Sequence, residues 1–229
     1  MNNLQGKKFV ASYSGGKDSM LAIHRAIQAG LTPLELIITY NTDADRSWFH
    51  GVSENILHKV SHSLSIPIKP VRTSGGQYQE NFEKALTDAK NRGAEVCVFG
   101  DIDIEGHLEW CTLRCEKTGL IPYFPLWGEE RKKVVYEFID NGFSAIITIV
   151  DTSRMSGDFL GRILSREIVD SIQRSGADIC GENGEYHTFV FDGPIFKNRI
   201  DLAIEGKFER DKYYILNITE NHCTMPRIC

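Results

Sequence analysis

Short apolar runs alternate with amphipathic stretches through the first half of this chain, and that alternation leaves few folds open. Lys8-Phe9-Val10-Ala11-Ser12-Tyr13 reads as a strand that stops at Ser14-Gly15-Gly16. Met20, Ile23 and Ile27 follow at helical spacing, with Gly30 as the stop signal. Residues 34–40 are almost continuously apolar, as expected of a strand buried on both faces. Val52, Ile56, Val60 and Leu64 mark a second helix. Residues 66–71 mark a third strand, and Pro67 predicts that it lies at a sheet edge. Tyr78, Phe82, Ala85, Leu86 and Ala89 mark a third helix ended by Gly93. Residues 95–99 form a fourth strand, 104–118 a helix, and Ile121 begins a fifth strand. The pattern predicts an α/β fold with a doubly wound parallel sheet. Such sheets bind ligands at the carboxyl ends of their strands, so the chemistry is expected in the loops after strands one, two and four.

The alternation loosens at Pro122-Tyr123-Phe124-Pro125-Leu126-Trp127-Gly128, which predicts a boundary: one domain over 1–125 and a smaller α+β domain over 126–229. In the second, a helix is expected over 131–141, a strand over 144–150 and a helix over 158–175, where Leu160, Leu164, Ile168 and Ile172 keep register. The remainder reads as β-strands, including 188–191 and 213–217. The 229 residues, 41% hydrophobic and 25% charged, suffice for a core without staples. A formal charge of −5 argues against a general nucleic-acid binder. No apolar run approaches the ~20 residues that span a bilayer, so no membrane partner is expected. The polar start of the chain shows no signal peptide, and the six cysteines form no dense framework. Reduced thiols in a cytoplasmic protein are the expectation.

Between the first strand and its helix lies Ser14-Gly15-Gly16-Lys17-Asp18-Ser19. Two glycines let backbone approach a ligand closely. The helix start offers unpaired N–H groups and the positive end of its dipole, Ser14 and Ser19 add hydroxyls, and Lys17 can neutralise a phosphate. Asp18 is odd in an anion site unless it caps the helix or helps hold a metal ion. The spacing fits neither a Walker A loop nor G-x-G-x-x-G. The bland reading is a glycine-rich turn with a capping serine and a surface lysine.

Ser-Gly-Gly-Lys-Asp-Ser resembles the PP-loop of the ATP pyrophosphatases. The rest of the chain is similar to one branch, the diphthine–ammonia ligase family. Phe99-Gly100-Asp101-Ile102 resembles that family's Gly-x-Ile turn, Pro125-Leu126-Trp127 its Pro-Leu-Trp, and Leu160-Gly161-Arg162 its Leu-Gly-Arg. Cys180-Gly181-Glu182-Asn183-Gly184-Glu185-Tyr186-His187-Thr188 and Asp192-Gly193-Pro194 resemble its second-domain motif, where other members carry Gly-Glu-Gly-Gly-Glu-Tyr-Glu-Thr. Asn183 and His187 depart from that pattern. Gly106-His107-Leu108-Glu109-Trp110 lacks the Tyr-Gln-x-x-Arg of the ligases, and both departures resemble a bacterial-type branch.

The resemblance implies an adenine nucleotide alpha hydrolase-like fold and an ATP- and Mg²⁺-dependent ligase. The enzyme would adenylylate a carboxylate, release pyrophosphate, and transfer ammonia to form an amide. It implies nucleotide contacts from Ser12, Ser14, Gly15, Gly16, Lys17, Asp18, Ser19, Tyr40, Gly100 and Asp101. It implies catalytic roles for Lys17, Glu182, Glu185 and His187, and no protein-bound metal centre. The acceptor would be a small-molecule or protein-borne carboxylate: diphthine, a cobalamin-related compound or another. Ammonia would arrive free or from another protein, and a homodimer is compatible with the pattern. A PP-loop RNA-modifying enzyme and an ATP- or AMP-binding regulator without turnover remain the alternatives.

Residue types alone leave more open. Glu182 and Glu185 near ATP suit Mg²⁺, an ammonium ion or a base, and His187 suits proton transfer near neutral pH, but a solvated polar turn is the bland alternative. His107, Cys111 and Cys115 share one helix face and could hold zinc, although a fourth ligand is not evident and packed thiols explain them as well. Asp101 and Asp103 follow the fourth strand at a ligand-facing sheet end, where Asp101 suits Mg²⁺ or ribose, or only a helix cap ahead of Ile104. Trp48, Phe49 and His50 could cover a nucleotide or pack a loop. Arg154 and Arg162 suit an anionic substrate or the surface.

Overall fold

The computed structural model describes residues 4–42, 46–47 and 52–220; Trp48, Phe49, His50, Cys223 and Cys229 lie outside them. The first sheet contains β1 (Lys8–Ser12), β2 (Thr32–Asn41), β3 (Arg46–Ser47), β4 (Ile68–Thr73), β5 (Val96–Val98) and β6 (Ile121–Tyr123). Five strands run parallel in the order β4-β2-β1-β5-β6, and the short β3 adds antiparallel at the end of β2. Alternate residues of β1 supply opposite faces. Phe9 and Ala11 pack with α1 (Lys17–Gln28) and α2 (Glu54–Leu64). Val10 packs with α3 (Tyr78–Asn91) and α4 (Glu105–Thr118). Both faces are covered, which is why β2 and β5 read as apolar runs rather than alternations. β4 pairs with β2 alone among the described residues, the edge position that Pro70 within it and Pro67 just before it allow.

The chain moves from β1 through α1 to β2 on one side, and from β4 through α3 to β5 on the other. β1 and β5 therefore neighbour each other where the winding reverses, and a crevice opens beyond their carboxyl ends. The loops after both strands lead into it.

The second sheet is antiparallel, in the order β8-β7-β10-β9: β7 (Ser144–Asp151), β8 (Tyr186–Asp192), β9 (Leu202–Arg210) and β10 (Tyr213–Glu220). With α5 (Arg131–Asp140) and α6 (Arg166–Arg174) it makes the smaller α+β part. The helix expected over 158–175 is shorter than its apolar spacing suggested. Residues 162–164 run alongside β7 instead: Ile147 N–H bonds to Arg162 O, Leu164 N–H bonds to Ala145 O, and Ile163 bridges Ile146. The helix begins only after Ser165, whose hydroxyl accepts from Ile168 N–H. β9 received no bounds within the expected β-rich remainder, because most of its side chains are solvent-exposed and charge hides its alternation.

The two sheets share α1. Arg25 Nε donates to Glu137 Oε1 on α5 at 2.8 Å and Nη1 donates to Pro125 O at 2.7 Å. His24 meets Phe143 edge-to-face at 5.4 Å. A single apolar cluster runs from β1 and α1 through Val134, Phe138 and Phe189. No helix among the described residues is long and apolar enough to cross a membrane.

Candidate active site

The loop between β1 and α1 is shaped by glycine where a side chain has no room. Gly15 has φ +95°, which an L side chain rarely adopts, and its open face lies against Phe189 of β8. Gly100, after β5, is held tighter still: a Cβ there would lie 2.7 Å from Ser19 N and 2.8 Å from Asp18 C. The strand end and the first turn of α1 touch backbone to backbone.

Serine hydroxyls order the loop. Ser14 Oγ accepts from Gly16 N–H at 3.2 Å and lies 3.1 Å from Ser19 Oγ, which donates to Gly16 O at 3.0 Å. No side chain caps α1 at Gly16, so the helix start keeps its positive end toward the crevice. The second sheet presses on the loop from behind. Val190 N–H bonds to Gly15 O at 2.9 Å, and Lys17 N–H donates to Thr188 Oγ1 at 3.1 Å.

A cleft of roughly 300 Å³ results. One wall carries Ser12, Ser14, Gly16, Lys17, Asp18, Ser19, Gly100 and Asp101; the other carries Glu182, Tyr186, His187 and Thr188. A second cavity of roughly 330 Å³ adjoins it, sharing Ser12, Asp101 and His107 and walled by Tyr78, Phe99 and Trp110.

Lys17 is only 3% exposed. Its ammonium donates to Asp18 Oδ2 at 2.6 Å and to Cys180 O, and lies 5.6 Å from the centre of the Tyr186 ring. An ammonium has three N–H bonds to give, so these two acceptors leave capacity for a phosphate oxygen. Burial works against its charge, but Asp18, Tyr186, Cys180 and Glu182 outweigh burial and hold its pKa well above the ordinary lysine value. Asp18 is raised, by burial first, with Lys17 opposing and Asp101 assisting. Its Oδ1 is buried without a hydrogen-bond partner.

An unpartnered oxygen on a residue that lines a phosphate-sized cleft, with Asp101 in the same lining, fits a hard cation that brings most of its own ligands. Mg²⁺ behaves so, taking one or two carboxylates plus phosphates and water. Among the described residues no three His, Cys, Asp or Glu side chains gather as a metal centre. His107 instead pairs through Nδ1 with Asp101 Oδ1 at 3.1 Å, and Cys111 and Cys115 pack in the core.

The acidic loop divides its two glutamates. Glu182 faces the cleft, and burial followed by the Asp18 charge raises its pKa to about 7, against Lys17 and Arg131. Glu185 is turned inward, 5% exposed. Its carboxylate accepts from Asn183 N–H at 3.1 Å, from Asn183 Nδ2 at 3.2 Å and from Asp178 N–H at 3.4 Å, and so folds the loop. His187 lines the cleft, but burial, aided by the Lys17 charge, lowers its pKa to about 4. It is neutral at pH 7, not poised near neutrality as residue type alone suggested.

Tyr40 is buried in the first core with the Arg72 guanidinium over its ring, and does not line the cleft. Gly15 shapes the loop from behind the lining residues. Arg154 pairs with the buried Asp151. The sequence reading passed over Thr188 and the Cys180 carbonyl as site components. One acts through its hydroxyl against a backbone N–H, the other through backbone alone, and neither leaves a spacing signal.

Fold and loop together define an α/β protein of the PP-loop, ATP-binding class. The chain belongs to the diphthamide synthase family: the family's N-terminal domain matches residues 7–122 and its C-terminal domain residues 130–222. Among similar proteins, a diphthine–ammonia ligase of Rattus norvegicus is 32% identical over 218 residues, 84% of this chain and 82% of that one. Another from Schizosaccharomyces pombe is 24% identical over 243 residues. That alignment takes in 96% of this chain, which spans only 40% of the yeast protein's length. A solved structure described as a predicted subunit of tRNA methyltransferase from Methanocaldococcus jannaschii aligns over 84% of this chain and 100% of its own. Its TM-score is 0.43 and its identity 16%.

Proposed function

We propose that this protein is an ATP-dependent ligase that activates a carboxylate as its acyl-adenylate and converts it to an amide with ammonia. The relatives named diphthine–ammonia ligase make diphthine the first acceptor to try. The observation that carries the reading is the facing pair in the cleft: a buried, charged Lys17 inside a glycine-built phosphate loop, and Glu182 opposite it. The adjoining aromatic-walled cavity of Tyr78, Phe99 and Trp110 suits a purine, since ring faces stack on aromatic side chains.

The phosphate loop receives the triphosphate against the α1 start, with Lys17 and Ser19 placed for phosphate oxygens. An acceptor carboxylate oxygen attacks the α-phosphorus, the α–β bond breaks, and pyrophosphate leaves. Lys17 holds the growing negative charge on the leaving group. Asp18 and Asp101 would hold Mg²⁺, which supplies further charge neutralisation there. Ammonia nitrogen then attacks the activated carbonyl carbon and AMP leaves.

Glu182, with its pKa near that of the medium, attracts ammonium and accepts the proton the new amide must lose. The inward Glu185 keeps that loop in shape and touches neither reactant. His187, neutral, offers a hydrogen bond rather than a charge.

Glu182→Gln tests this division. ATP affinity by calorimetry should stay within about threefold of wild type while amide formation falls at least about a hundredfold, the scale of a lost acid–base group. Loss of ATP binding in step with activity would instead make Glu182 a nucleotide or metal ligand.

A further inference from the structure

Arg131, the first residue of α5, lies outside the cleft lining and plays no part in the reaction described above. Its guanidinium nevertheless joins the two walls. Nε and Nη2 bond Asp103 at 2.7 and 2.8 Å, a two-armed contact to the loop that follows β5 and carries Gly100 and Asp101. Nη1 meets Asp178 Oδ2 at 2.9 Å, at the start of the acidic loop. That same Asp178 Oδ2 accepts from Glu182 N–H at 2.7 Å. The Arg131 carbonyl accepts from Cys180 Sγ at 3.0 Å, while Cys180 O takes the Lys17 ammonium.

Three consecutive links thus run from the strand-end loop of the first sheet, through one planar cation, to the backbone of Glu182. Guanidinium suits the task because its fork serves a carboxylate with two parallel bonds and still has a third donor to aim elsewhere. Lysine, a single ammonium on a flexible stem, could not hold both carboxylates in one geometry.

We infer that Arg131 is a positioning residue: it fixes the acidic loop against the first sheet and so sets where Glu182 stands relative to the phosphate loop. This rests on the reading of Glu182 as the group that serves ammonia. The guanidinium also faces Glu182 electrostatically and opposes the rise in its pKa. Removing the cation therefore raises the Glu182 midpoint, whereas replacing it with lysine keeps the charge and removes the geometry.

The experiment compares full-length Arg131→Gln and Arg131→Lys with wild type, each first checked for folding by circular dichroism. Two readouts are taken: the Glu182 carboxyl titration by NMR of protein labelled with ¹³C-glutamate, assigned by its disappearance in Glu182→Gln, and kcat and KM for ATP. In Arg131→Gln the midpoint should rise by roughly half a unit to one unit. In both variants kcat should fall about ten- to hundredfold with KM for ATP within about threefold, as expected when a reacting group is displaced by about an ångström. In Arg131→Lys the midpoint should stay in place.

A folded Arg131→Gln with an unmoved midpoint overturns the inference, as does wild-type kcat in either variant. If Arg131→Gln does not fold, the kcat against KM split in Arg131→Lys decides. If wild type itself forms no amide, the proposed reaction fails, and the NMR midpoint still judges the brace.

Discussion

Glu182 and His187 stand five residues apart, and burial drives their pKa values past each other, to about 7 and about 4. At pH 5.5 both are neutral in the folded protein, and both are charged in the unfolded chain. Each shift is a stability term with its own sign. The raised Glu182 contributes stability fully present below its unfolded value of about 4.5 and lost as pH rises through 7. The lowered His187 contributes stability present above about 6.5 and lost as pH falls toward 4. Over the shared window the two slopes, each up to about 1.4 kcal/mol per pH unit, oppose and nearly cancel. Glu182→Gln should therefore lose stability as pH falls from 6.5 to 4.5, and His187→Gln should lose it as pH rises over the same window. Urea unfolding at several pH values checks this, and parallel curves for the two variants would refute it. The sequence could offer Glu182, Glu185 and His187 as one cluster, but not their division. Glu185 turns inward because two backbone N–H groups and the Asn183 side-chain amide of its own loop await it, and the backbone donors leave no mark in a sequence.

At the scale of elements, the cleft depends on how closely the end of β5 meets the start of α1. Gly100→Ala would place a methyl 2.7 Å from Ser19 N, against backbone that cannot step aside. Overpacking of this kind costs about 1–3 kcal/mol. The melting temperature should fall by several degrees, at about 2–4 °C per kcal/mol for a chain of this size. ATP affinity should fall with it, since the first turn of α1 must move. Unaltered melting and ATP titration would show that the junction tolerates a side chain and does not set the loop. The glycine was visible in the sequence as part of a turn, but its neighbour was not, because Ser19 and Gly100 meet only through the β1–β5 pairing. The five parallel strands of the first sheet were legible, β1, β2 and β5 because burial on both faces enforces apolar runs; the two-residue β3 left no such pattern. The start of α6 was not: Leu160, Leu164, Ile168 and Ile172 keep helical spacing, yet strand-like bonds from residues 162–164 to β7 hold the first half extended.

Across the whole molecule, the active cleft exists only where two sheets meet, and α1 is the element both of them claim. The PP-loop was legible from its own six residues. Its support from Thr188, Phe189 and Val190 of β8 was not, because that contact joins positions about 170 residues apart. The composite cleft brings the PP-loop and the acidic loop to one place, as the proposed reaction requires. The fold and the family leave open which bond of ATP breaks, and that bond separates an adenylylating ligase from every kinase-like reading. The decisive measurement is the product pair formed from ATP labelled at the α-phosphate, with Mg²⁺, ammonium and a diphthine-bearing protein supplied. The account predicts labelled AMP and pyrophosphate in equal amounts, matched by amide formed and abolished by Lys17→Ala. Labelled ADP with orthophosphate would contradict it.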